Sequence, residues 1–399
     1  MPTFSFLYAI PYIILFLLLY MNIIPLYKTN TGSSFNNNYY IWLQQFFVAS
    51  LLIIFIGFRG FLYTDWQSYY LAYNTTPSLF DNTVDIIKYL NRRWEKGFLF
   101  YMILCKTISS NYFFFQFVSY LIDYILLFLF FKEAIPKHII FGFTLFVIFL
   151  GIGIEFNLLR NSKSMMLFLI SLKYIKEKKI IKYIMLNSLG ILFHSVSLLY
   201  LPLYFILGKK VSRKLILVLF IIGNFIYLVQ IEWCKTFLST ITSLIPGRLG
   251  YLAKLYLSSD FHSTAYGISI GYLERFFTFI IIFCLSKRLC KLNEKNLIYI
   301  NTFYLYIFIY LYFSEIMIII ERIVLLFVFS YWVLYPQIYS LLTKKSKNIF
   351  LFILLFFGIL KMWYNNRNIL TMYDNVLLPY SSYYERSLII DQHWKNIYK

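Results

Sequence analysis

Apolar runs of about twenty residues recur along the whole chain, and a run of that length is what a helix needs to cross the hydrocarbon core of a membrane. Residues 4–27, 40–58, 112–131, 138–154, 157–175, 214–230, 270–289, 297–313, 316–336 and 348–364 each read as one span. Composition agrees. Sixty per cent of the 399 residues are hydrophobic and only 14% are charged, whereas soluble chains average about 25% charged. A soluble domain so poor in charge could not cover its own apolar surface. The formal net charge of +20 therefore does not make this a nucleic-acid-binding protein. Cys105, Cys234, Cys284 and Cys290 show no CxxC spacing, which argues against a disulfide framework or a zinc site. The first run, Phe4–Ile24, lacks a basic flank and a small-residue cleavage site and reads as a retained span. The expected fold is an all-α polytopic membrane protein, residues 1–399 forming one integral membrane domain with about ten full spans.

Two stretches depart from the simple count. Gly97–Ser109 is too short to cross and predicts a re-entrant segment, while Ile180–Leu207 is too long and is interrupted by Gly190, His194 and Pro202. Basic residues cluster in Lys173–Lys182, Lys209–Lys214, Lys287–Lys295 and Lys344–Lys347. The positive-inside tendency puts all four clusters in the cytoplasm. That requires Ile180–Leu207 to return to its starting side, as a broken hairpin of two half-length helices with His194 near its tip. Discontinuous backbone at membrane depth is tolerated where protein buries it or water lines it. Loops 59–96 and 231–270 and the tail 365–399 then share the external face.

Ionisable groups within or at the ends of spans are functional candidates, because burying them in lipid costs several kcal/mol. Arg160, in Glu155-Phe-Asn-Leu-Leu-Arg-Asn-Ser-Lys, opens a span at its external end. Its permanently charged guanidinium offers a bidentate fork to phosphate. Asn161 and the free N–H groups of the helix start add to such an anion site, although a snorkelling interfacial arginine has the same sequence signature. His194, in Leu-Phe-His-Ser, can serve as base, acid or hydrogen-bond donor near neutral pH, or as a satisfied core histidine. Asp65 follows Arg59 by six residues in an aromatic loop that includes Tyr69. Rings stack on sugar faces and carboxylates accept sugar hydroxyls, but an interfacial aromatic belt with an ion pair reads the same way. Glu95 opens the re-entrant candidate. Arg275 and Arg322, each beside a glutamate in an apolar run, are secondary candidates, as is Arg248. There is no Walker A loop, GxGxxG or HExxH, and no DD, DE, EE, DxD or ExD pair. A metal site is unsupported, so arginines would have to neutralise any pyrophosphate.

The order of these motifs resembles the EpsG family of Wzy-type polysaccharide polymerases. Gly-Phe-Arg…Asp…Tyr (Arg59, Asp65, Tyr69) is followed by Glu-x-Gly-Phe (Glu95, Gly97, Phe98). Then come Arg160-Asn161, Phe193-His194-Ser195, a late Glu-Arg span and Leu378-Pro379-Tyr380. The family usually reads Arg-Gln where this chain has Arg160-Asn161, so the amide is kept on a shorter arm. The resemblance implies a GT-C-like architecture in a bacterial cytoplasmic membrane. It further implies joining of oligosaccharide repeat units carried on undecaprenyl pyrophosphate, without a cofactor. Arg160, His194 and Asp65 would then be catalytic, and Arg59, Tyr69, Glu95, Asn161, Arg275 and Arg322 would bind substrate. The partners implied are the lipid-linked oligosaccharide and membrane lipid, with a chain-length regulator and a flippase as candidates. Another polyprenyl-linked sugar transferase or ligase, a lipid-linked oligosaccharide transporter and a membrane acyltransferase using His194 remain open.

Overall fold

A computed structural model describes residues 2–23, 34–81, 86–92, 94–234, 236–237, 267–315, 322–378 and 380–397. The helices in chain order are α1 (Phe6–Met21), α2 (Ser34–Leu52, continued by a π-turn Ile53–Gly57), α3 (Trp66–Asn74), α4 (Ile86–Leu90), α5 (Lys96–Ile108) and α6 (Tyr112–Ala134). They continue as α7 (Ile139–Ile148), α8 (Gly151–Asn157), α9 (Leu159–Ser171), α10 (Lys173–Lys176), α11 (Ile180–Ile191), a 3₁₀ segment Ser195–Phe205 and α12 (Arg213–Val229). The rest are α13 (Ile270–Leu292), α14 (Asn296–Tyr312), α15 (Phe329–Leu341), α16 (Lys344–Asn366) and α17 (Tyr383–Ile397). Among the described residues the only β pairings are isolated bridges, Phe4 with Asn368 and Arg59 with Asn375. The chain is all-helical, as its apolar runs predict.

Three described helices are long and apolar enough to cross a membrane: Tyr39–Gly57, Tyr112–Ala134 and Lys344–Asn366. The expected span 138–154 is not straight. It is α7 and α8, bent by 66°. Leu150 takes a left-handed backbone, φ 64°, which an L-residue adopts at some strain. At Gly151 a Cβ would lie 2.3 Å from the Phe146 ring. The expected span 157–175 likewise divides into α9 and the single turn α10. Ile180–Leu207 forms two pieces, α11 and the 3₁₀ segment, with Leu192–His194 between them. Pro202 inside the second piece has no N–H to donate to a regular helical ladder. Parts of the expected spans 4–27 and 316–336, residues 24–27 and 316–321, lie outside the described residues, as does most of loop 231–270.

The chain divides into two compact units, residues 1–204 with 342–399, and residues 205–341. In the first, α1 lies along α16, where Phe16 packs so closely on Gly358 that a Cβ there would meet its ring at 2.3 Å. The capping side chain of Asn111 starts α6, accepting the Phe113 N–H at 2.8 Å. Helix α9 packs on α6 and α11. It does so through a polar run: Asn161, Ser162, Lys163 and Ser164 are all buried. Ser162 Oγ donates to Asp123 Oδ2 at 2.8 Å, and Lys163 pairs with the same oxygen while donating to the Ser119 carbonyl at 2.8 Å. On another side of α9, the Ser164 and Ser197 hydroxyls lie 2.7 Å apart, and Phe168 stacks on Tyr200 at 3.8 Å. The tail folds back on loop 59–66. Gly60 N–H donates to the Asp374 carbonyl at 2.9 Å and Tyr63 N–H to the Leu370 carbonyl at 2.9 Å. Asp374 in turn pairs with buried Arg386 at 3.2 Å.

In the second unit α12 and α13 both pack on α14. Phe220 stacks on Phe279 at 3.6 Å and Tyr227 on Tyr272 at 4.8 Å.

Removing one partner from a fully buried ion pair leaves an uncompensated charge, at a loss of about 3–5 kcal/mol. Asp123→Ala should therefore destabilise the detergent-solubilised protein by that order. Asp123→Leu combined with Lys163→Met should recover most of the loss, both measured by thermal unfolding.

Candidate active site

The first turn of α9 has two sides. Ser162 and Lys163 reach the Asp123 carboxylate on α6, while Arg160, about 60° around the helix from Lys163, extends to Glu95 at the start of α5. Arg160 Nη1 donates to Glu95 Oε2 at 2.6 Å, and the two side chains keep 23% and 20% exposure. The guanidinium lies 5.2 Å from the centre of the Trp94 ring, a cation–π distance. The hydroxyl of Tyr69, on α3, also interacts with it. Arg160 Nε and Asn161 Oδ1 are buried and make no hydrogen bond.

Glu95 immediately precedes α5, and its second oxygen, Oε1, accepts the Ser195 N–H at 3.2 Å. One carboxylate thus joins the start of α9 to the break between α11 and the 3₁₀ segment. Gly97 makes that approach possible. A Cβ there would meet Leu192 Cβ at 2.6 Å and the Leu192 carbonyl oxygen at 2.7 Å, and Phe98 N–H donates to that same carbonyl at 3.1 Å. At the break, Val196 N–H donates to His194 Nδ1 at 3.1 Å. The lone pair at Nδ1 is therefore engaged, and the neutral ring carries its proton on Nε2.

Asp65 arrives through its backbone. Asn157, three residues before Arg160, accepts the Asp65 N–H at 3.0 Å through Oδ1. Tyr69 follows one helical turn later, with its ring 5.3 Å from Trp94 and 5.8 Å from Phe98. Burial opposes ionisation of Glu95. Its own backbone N–H, that of Ser195 and the Arg160 guanidinium nevertheless hold its carboxyl below the ordinary glutamate value. Burial pushes the Tyr69 hydroxyl up, with Arg160 pulling the other way.

Arg160, Glu95 and Tyr69 are thus in contact, with His194 and Asp65 anchored to the same framework through Ser195 and Asn157. Arg59 is placed differently. It is buried, its guanidinium donates to the Ile56 and Glu155 carbonyls at 2.8 and 2.9 Å, and it lies 5.1 Å from the centre of the Phe156 ring. Its fork is used to hold the corner ahead of α9. Arg275 and Arg322 belong to the second unit. There Arg275 Nε donates to the Tyr306 hydroxyl at 2.9 Å, with the Tyr310 ring centre 4.2 Å away, and Arg322 is exposed. Arg248, Glu321 and Pro379 lie outside the described residues.

Sequence reading missed Trp94, Asn157 and the Asp123–Lys163 pair. Asp123 carried a usable signal, a single acid in the middle of an otherwise apolar span. Asn157 carried none, because its role is a contact 92 residues away.

Residues 41–382 match the family model of the EpsG family. No curated protein and no solved structure matches the chain.

A glutamate whose native value is lowered stabilises the fold while it is ionised, and that contribution disappears as pH falls through the native value. Glu95→Gln should accordingly unfold at a lower temperature than the native protein at neutral pH. The gap should close as pH drops below the ordinary glutamate value of about 4.3, as read from unfolding temperatures across a pH series.

Proposed function

The chain belongs to the EpsG family, and on that footing we propose that it polymerises oligosaccharide repeat units carried on undecaprenyl pyrophosphate into a surface polysaccharide. It does so as a multi-pass protein of the bacterial cytoplasmic membrane, with about ten spans in a GT-C-like arrangement and its chemistry on the outer face. The observation that supports this most directly is Arg160. It is a partly exposed guanidinium, held by Glu95 and Trp94, at the meeting point of three motifs that are far apart in the chain.

In the reaction, a growing chain leaves its lipid pyrophosphate for a sugar hydroxyl of the incoming unit. Negative charge builds on the departing pyrophosphate. A fixed cation aimed at that charge stabilises the transition state without reorganising at the moment of reaction. Arg160 meets this need because α9 is held rigidly from behind by Asp123. Asn161, the next residue along α9, is assigned to the same substrate through its amide. Asp65 and the Nε2–H of His194 orient the acceptor sugar, and Trp94 offers a ring for its apolar face. The pyrophosphate bond supplies the driving force, so no cofactor enters. Membrane lipid surrounds the site, and a chain-length regulator and a flippase are the partners such a reaction calls for.

With purified lipid-linked repeat units, Arg160→Ala should reduce polymerisation about 100- to 1,000-fold, the range seen when one such electrostatic donor is lost. Arg160→Lys, which keeps the charge but not the fork, should fall between. A native chain-length distribution from Arg160→Ala would overturn the assignment.

A further inference from the structure

We infer that Glu95 is a substrate-displaced latch: its carboxylate occupies the Arg160 guanidinium until a pyrophosphate takes its place, and the released carboxylate then accepts the proton of the attacking sugar hydroxyl. The inference rests on the polymerase reading above and adds to it the identity of the base.

Three observations lead there. The Glu95 oxygen sits 2.6 Å from Arg160 Nη1, where a phosphate oxygen would bind, so any anion using this arginine must contend with it. A pyrophosphate carries more negative charge than one carboxylate and can outcompete it. The latch is also lightly held on its other side. Its backbone partners there are the exposed Ser195 N–H, 3.2 Å from Oε1 and near the long end of hydrogen-bond distances, and the N–H of Glu95 itself. The backbone beside Glu95 is held by the close packing of Gly97 on Leu192, so release proceeds by rotation about the Glu95 side-chain bonds. Finally, His194 is set as a donor and not as a base, which leaves the proton to a carboxylate. His194 Nδ1 receives the Val196 N–H, which leaves the ring a donor at Nε2.

Displacement changes the chemistry of the carboxylate. Both Arg160 and the Ser195 N–H favour its ionised form, and leaving them raises its affinity for a proton. The step balances. The acceptor hydroxyl oxygen attacks the donor anomeric carbon, and the bond from that carbon to the pyrophosphate oxygen breaks. Its electron pair leaves with the pyrophosphate on Arg160. The hydroxyl proton passes to Glu95 and from there to water, which reaches this partly exposed side chain.

The test measures binding of undecaprenyl pyrophosphate to the full-length protein in detergent, alongside polymerisation of lipid-linked units. Glu95→Gln should bind the pyrophosphate about tenfold more tightly while turnover falls at least 100-fold, the scale of a lost general base. A structural brace for Arg160 would do the opposite, weakening binding together with turnover. Glu95→Asp retains a carboxylate too short to span Arg160 and Ser195, and covers the case in which the glutamine variant does not fold. It should also bind more tightly, with turnover between the two. Unchanged or weaker binding in the folded variants, while the native protein still makes ladders, overturns the latch and leaves the polymerase reading standing. Full turnover of Glu95→Gln overturns the base. A native protein that binds the pyrophosphate but makes no ladder overturns the polymerase reading, and tightening by Glu95→Gln would then still support the latch.

Discussion

The buried pair between Lys163 and Asp123 is the constraint around which the first unit is organised. Two charges removed from water, each nearly without solvent contact, carry a desolvation penalty of several kcal/mol per ion. That penalty is met only with good geometry and further hydrogen bonds, which Ser119 and Ser162 supply. Such a pair does not tolerate sliding. It fixes the rotation of α9 against α6, and with it the direction of every side chain in the first turn of α9. Arg160 is three residues from Lys163, so its direction follows.

The remaining contacts around the site convert that fixed direction into a fixed position. Arg59 holds the Glu155 carbonyl, which defines the corner between α8 and α9. Asn157 ties the same corner to the loop of Asp65. That loop is pinned in turn by the tail, through the Asp374 and Leu370 carbonyls and the buried Asp374–Arg386 pair. An aromatic cluster of Phe61, Trp66, Tyr70, Tyr112 and Tyr383 fills the space behind it. Arginine therefore plays two roles. Arg59 and Arg386 spend their donors on buried partners and shape the framework, while Arg160 keeps part of its surface open.

Much of this was legible before the fold was known. Apolar runs mark where helices form, and the length deficit of Gly97–Ser109 and the interruptions in Ile180–Leu207 correspond to the short α5 and to the break at Leu192–His194. Arg160, Glu95 and His194 stood out because ionisable side chains are rare in such runs. Arg59 stood out for the same reason, yet the rule cannot separate a cation that meets solvent from one whose fork is filled by carbonyls. The bend at Leu150 was not legible, since hydropathy records how apolar a segment is and not whether its backbone turns.

By itself the sequence determined an all-helical membrane protein with its ionisable residues concentrated at a few positions, because hydrophobicity and charge are properties of a residue and its near neighbours. Only the tertiary structure decided that Glu95 bridges Arg160 to Ser195, that Asp123 rather than Glu155 pairs with Lys163, and that Arg59 faces inward. Those outcomes depend on contacts between residues 40 to 100 positions apart. Such contacts are set by how α5, α6 and α9 rotate against one another, and helix rotation is settled by packing and buried charge rather than by any local pattern.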